Sequence, residues 1–235
     1  MPPEQLTLHR AEDRGKGEYG WLSTRYSFSF ADWYEPSRMG FGALRVLNDD
    51  TITEGSGFGM HGHANMEIIT IVLEGALAHK DSMGETGVLV PGDVQVMSAG
   101  TGILHSEYNG GQGDLKLFQI WIAPDTERVT PRYDQRSIGL TQPGETLLVA
   151  SMGDETTLTI HQDAYLSRLT LDAEHPLTYR LKKPGHGVYF FVITGPVTVA
   201  ETRLDSRDAF GVEGVDTVSL SAKGEADVLA IEVPM

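Results

Sequence analysis

Residues 66–107 read MEIITIVLEGALAHKDSMGETGVLVPGDVQVMSAGTGILHSE. The run IITIVL (68–73) is rich in β-branched residues, and the clusters DSMGE (81–85) and PGD (91–93) hold the residue types that close turns. Short apolar runs bounded by such clusters read as antiparallel strands. The same signature recurs at LKLFQIWIA (115–123), VYFFVI (188–193) and VLAIEV (228–233), with further turn signals at NDD (48–50) and NGGQGD (109–114). No stretch holds apolar residues at helical spacing for three turns, so helix is expected only as short pieces near 31–36 and 133–137. The expected fold class is all-β, a sandwich or barrel of many short strands.

The polar segment APDTERVTPRYDQRS (123–137) carries two prolines and follows an apolar strand, which marks it as a connection. The expected domains are therefore 1–130 and 131–235. The halves echo each other: Gly75 follows Leu73 and Glu74 after one apolar strand, and Gly195 follows Ile193 and Thr194 after another. A duplicated barrel is expected.

The 235 residues contain no cysteine, which excludes disulfides, thiolate catalysis and Cys-based metal sites. With 18 basic and 33 acidic residues the net charge is −15, a poor match for nucleic-acid phosphates or anionic membranes, so direct nucleic-acid binding is not expected. Neither a signal peptide nor a membrane span of about 18 apolar residues is visible, and a cytoplasmic location is expected.

Any metal must then sit on His, Asp or Glu. In His61-Gly62-His63 the imidazoles are two residues apart, and on a strand such positions share a face. His105-Ser106-Glu107 repeats the spacing with an imidazole and a carboxylate. A lone histidine is ordinarily an exposed polar residue. Two such pairs beside glycines instead point to one mononuclear site with ligands His61, His63, His105 and Glu107. Such donors accept Fe, Mn, Co, Ni, Cu or Zn. The second half holds only the scattered His161, His175 and His186, so no metal is expected there. His79 is expected on the exposed side of a turn or at the barrel mouth. Trp21, Phe28, Phe30 and Trp33 are expected in the core or between domains.

Gly55, the two histidines, Glu67 and Gly75, followed by Gly87, Pro91-Gly92-Asp93, Gly100, His105 and Asn109, are similar to the two cupin motifs. More specifically, GWLSTRYSFSFADWYEP (20–36), GFGALRVLNDD (40–50) and residues 66–107 resemble the pirins and bacterial pirin-like proteins. The resemblance is dense in the first half and sparse in the second. It implies a bicupin, two antiparallel jelly-roll β-barrels with the metal in the first, iron as the ion, and a ligand set matching His61, His63, His105 and Glu107. It also implies a quercetin 2,3-dioxygenase activity, in which a flavonol and O2 are the substrates and Glu107 is both ligand and catalytic base. The alternative it carries is a metal-dependent module that regulates a protein partner. Glu67, a ligand in many cupins, is expected instead as a structural residue or as a hydrogen-bonding support for an imidazole, which needs an acceptor at its other nitrogen. Here Gly62 stands where these proteins commonly have proline.

Overall fold

The computed structural model describes residues 5–139, 143–153 and 155–235. Among them the only helix is a 3-10 turn at Ala11–Asp13; the rest is strand and connection, as the sequence reading required. Two seven-stranded and two four-stranded sheets form two double-sheet units. The first large sheet runs, in spatial order, Arg132–Ser137, Asp93–Ser98, Glu67–Glu74, Leu115–Ile122, Leu44–Ile52, Leu22–Tyr26 and Gly15–Glu18. Facing it lies the sheet Gly57–His63, Ile103–Asn109, Leu77–Asp81, Thr86–Leu89.

The second unit repeats this plan. Its large sheet runs Gln5–His9, Ala209–Glu213, His186–Thr194, Ala226–Pro234, Tyr165–Leu171, Gly144–Ala150, Leu158–Thr159, and its small sheet Leu177–Arg180, Thr217–Ala222, Pro196–Val199, Thr202–Asp205. Gly75 and Gly195 occupy the same hairpin in the two units, with φ of 81° and 121°, a region glycine enters without strain.

Strand pairing crosses the expected 130/131 division twice. Gln5–His9 pairs with Ala209–Glu213 of the second unit, and Arg132–Ser137 pairs with Asp93–Ser98 of the first. The short helix expected near 133–137 is therefore an edge strand, and 31–36 holds turns and a bridge between Phe30 and Trp33. The NDD signal is not a turn either: Asn48, Asp49 and Asp50 lie inside strand Leu44–Ile52, in register with Gln119, Phe118 and Leu117. Pairing on both sides overrides the local preference of these residues for turns.

The two large sheets pack back to back. Phe28, Phe41, Ile69, Ile71 and Phe118 from the first unit and Tyr189, Phe191 and Leu229 from the second belong to one buried cluster. Phe118 meets Phe191 edge to face at 5.2 Å between ring centroids. The interiors of the two units differ. In the second, Phe210, Phe190 and Ala230 stand side by side on three adjacent strands within a continuous apolar core. The matching row in the first unit is Gln95, Thr70 and Gln119, and its apolar residues divide into two small clusters on either side. A polar row splits the first interior and leaves room for a site.

Candidate metal centre

Strands Gly57–His63 and Ile103–Asn109 are antiparallel neighbours, and His61 lies directly opposite His105. His105 pairs with His61 but Glu107 with Phe58, so Gly57–His63 carries one extra residue, a bulge just before His61, while His105 and Glu107 keep a regular register with Asp81 and His79 on their other side. Ring centroids are 4.4 Å apart for His61 and His105, 4.8 Å for His61 and His63, and 5.0 Å for His63 and His105. One nitrogen from each ring lies within 4.8 Å of the others. Glu107 adjoins this trio: it groups with His105 and His79 over the same span, and all four expected residues line one cavity.

Two of the imidazoles, His63 and His105, are set up as neutral donors. Burial, reinforced by His61, brings His63 down to about 4, and burial only partly offset by Glu107 brings His105 to about 4. His61 Nδ1 donates to the Gly59 carbonyl at 2.8 Å, which leaves Nε2 as its free lone pair. His105 is 1% exposed, yet neither of its ring nitrogens has a hydrogen-bond partner. A buried imidazole with both nitrogens unmet is costly unless something binds it, so the donor set fits a metal ion.

Glu107 is held from the facing sheet. Gln95 Nε2 donates to Oε1 and Gln119 Nε2 to Oε2, each at 3.0 Å. Thr70 Oγ1 donates to Gln119 Oε1 at 3.2 Å and fixes that amide's orientation. Burial opposes the charge, but His79, His105 and Gln95 outweigh it and hold Glu107 below the usual carboxylate range. His79 Nδ1 is 4.0 Å from Glu107 Oε1.

One sequence expectation is corrected here and another is narrowed. His79 is 3% exposed, not turn-side: its ring stacks on Tyr133 at 4.4 Å and its Nε2 faces Asp81 Oδ2 at 3.3 Å. Strand alternation turns it inward, because it lies opposite Glu107 in the register. Of the two roles expected for Glu67 the structural one is seen: it accepts from Ser98 Oγ at 2.7 Å rather than from an imidazole, and burial pushes it up to about 7. On strand Glu67–Glu74 it is Ile68 that faces the cavity, so Glu67 points to the other side.

The cavity encloses about 570 Å³ including its mouth. Phe30, Phe58, Ile68 and Trp121 form its apolar walls, and Asn48, Asp50 and Gln119 its polar ones. Trp121 meets His63 edge to face at 4.9 Å and Phe30 at 5.4 Å. Phe30 is therefore a cavity wall, whereas Phe28 packs on Tyr189 between the units. Gln95, Gln119, Asn48 and Asp50 were missed by motif reading. For Gln95 and Gln119 the available signal was a lone amide inside a largely apolar strand.

Relatives of this chain share its full length. A quercetin 2,3-dioxygenase of Escherichia coli is 40% identical over 230 residues, which cover 97% of this chain and 99% of that one. A pirin-like protein of Caulobacter vibrioides is 39% identical over 221 residues, 93% of this chain and 95% of the other. The chain belongs to the pirin family. The Pirin family profile matches residues 8–122, and that of the quercetinase C-terminal cupin domain matches 147–233. The crystal structure of the bacterial pirin YhhW of Escherichia coli in complex with nickel(II) superposes with a TM-score of 0.93 at 38% identity, covering 98% of this chain and 99% of that one. The pirin fold thus accounts for the doubled architecture, with the histidine trio in its first cupin. Among the described residues no helix is long and apolar enough to cross a membrane.

Proposed function

We propose that this pirin is a metal-dependent dioxygenase of the quercetin 2,3-dioxygenase type, with His61, His63, His105 and Glu107 as ligands of one iron ion. The observation that carries the reading is His105, buried with both ring nitrogens unpartnered, beside two other imidazoles at the end of an aromatic-walled cavity. The full-length likeness to curated quercetin 2,3-dioxygenases supports the reaction. The metal, when bound, supplies Lewis acidity and a site for redox chemistry with O2. The overall change is a flavonol plus O2 giving the ring-opened ester and carbon monoxide.

The chain's own residues do the rest. Phe30, Phe58 and Trp121 hold a planar ligand and exclude water from it. Glu107, kept ionised, takes the proton of the flavonol's 3-hydroxyl group, and the Gln95 and Gln119 amides hold it in place for that transfer. Glu107→Gln tests the assignment: turnover of quercetin is lost while some metal is retained, and full activity in this variant rules out the base role.

A second reading, a module that docks a protein partner, draws on the outward residues of the same two strands. Met60, Leu104 and Tyr108 sit next in sequence to His61, His105 and Glu107, and they are 55%, 51% and 42% exposed. A stoichiometric partner recovered by wild type and lost with Leu104→Glu, with no quercetin turnover, favours it over catalysis.

A further inference from the structure

Asn-Asp-Asp in the middle of a central strand is a sequence that local preference argues against, and such violations collect at functional positions. The three side chains alternate. Asp49 points to the second unit, where Arg207 Nε donates to its Oδ2 at 2.8 Å and Arg14 Nη1 to the same oxygen at 3.3 Å. It has a structural use. Asn48 and Asp50 point the other way, into the metal cavity, and are 5% and 3% exposed.

Each keeps one oxygen unmet inside the protein: Asn48 Oδ1 and Asp50 Oδ1 are buried without a hydrogen bond. Their neighbours are better connected: the Gln119 and Gln95 amide nitrogens and the Thr70 hydroxyl bond to one another and to Glu107, although Gln95 Oε1 is itself unmet. Burial pushes the Asp50 carboxyl up to about 7, with Asp49 and Glu107 pushing the same way against the Thr24 hydroxyl. A donor arriving with a ligand would relieve that desolvation. Trp121 Nε1, in the same cavity, is a buried donor that also lacks a partner.

We propose that Asp50, with Asn48 beside it, is a specificity-determining element of the cavity, accepting hydrogen bonds from peripheral hydroxyl groups of a polyphenolic substrate. This rests on the flavonol reading above and adds to it the reason for a hydroxylated substrate. The histidines come from the small sheet and the acceptors from the large one, so a flat ligand that reaches the metal end also meets both oxygens. A site built to pair with substrate hydroxyls rejects an analogue lacking them, because its own buried oxygens are then left unmet.

The test is anaerobic calorimetric titration of nickel(II)-loaded protein with quercetin and with 3-hydroxyflavone, which keeps the 3-hydroxy-4-keto edge and lacks the other hydroxyls. Wild type is expected to prefer quercetin by about tenfold or more. Asp50→Ala is expected to bring that ratio to within about twofold of unity, leaving the affinity for 3-hydroxyflavone nearly unchanged. Asp50→Asn, which keeps the volume, guards against a folding failure: its ratio drops at least about threefold and its melting temperature equals or exceeds that of wild type, since a buried carboxylate with an unmet oxygen has been replaced. An unchanged ratio in Asp50→Ala, or a melting temperature lowered by several degrees in Asp50→Asn, overturns the proposal. Oxygen uptake by the iron-loaded protein separates the two claims. A collapsed ratio without uptake upholds Asp50 and refutes the dioxygenase reading, uptake with an unchanged ratio does the reverse, and a wild type that binds neither flavonol refutes both.

Discussion

Gln119 Nε2 donates to Glu107 Oε2 across 3.0 Å, joining the large sheet of the first unit to strand Ile103–Asn109 at the carboxylate proposed as a metal ligand. Groups that orient a ligating carboxylate govern affinity nearly as strongly as the ligands themselves. Gln119→Leu should lower metal affinity by about ten- to a hundredfold while the protein stays folded. Competition with a chelator of known affinity measures it, and an unchanged affinity would show that Gln95 alone suffices.

Asp49 ties the units together by accepting from both Arg14 and Arg207. Arg14 has a side chain only 6% exposed, so Asp49→Ala strands a buried cation. The expected loss of unfolding free energy is on the order of 3 kcal/mol. Urea unfolding followed by tryptophan fluorescence measures it.

Phe41 from the first unit packs against two glycines of the second. A Cβ at Gly211 would stand 2.6 Å from the Phe41 ring, and one at Gly187 2.9 Å from it. Gly211→Ala should therefore destabilise the protein by about 1–3 kcal/mol through overpacking. Restoring stability with the double variant Gly211→Ala, Phe41→Leu would assign the effect to this contact.

Much of the fold was legible because its strands are apolar, β-branched and closed by glycine-rich turns, as in IITIVL and VYFFVI. The histidine pairs were legible because spacing along a strand fixes facing. What failed were places where distant pairing overrules local preference. Asn48 and Asp50 are turn formers by type, yet strands on both sides hold them extended. Tyr133 and its neighbours are a strand only because Asp93–Ser98 offers an edge, and Gln5–His9 finds its partner some 200 residues away. Which of its two expected roles Glu67 takes was not legible, because that depends on the face of the strand to which its side chain turns.

Glu67 also predicts a pH dependence. Its carboxyl is raised from 4.5 to about 7 by burial, so between these values the folded state binds more protons than the unfolded one. Stability from this group is complete below about pH 4.5 and is lost as pH rises through 7. Relative to wild type, Glu67→Gln should gain stability at pH 8, by up to about 3 kcal/mol, and show no gain at pH 4. Melting curves at the two pH values provide the check.

The central claim is that the histidine trio holds a metal which makes this pirin an oxygenase. Metal content and quercetin-dependent oxygen uptake, measured on the same preparations of wild type and His61→Ala, test it most directly. The account predicts about one metal per chain and uptake in wild type, with both lost in the variant. Uptake that persists in a metal-free His61→Ala protein, or bound metal without any uptake in wild type, contradicts it.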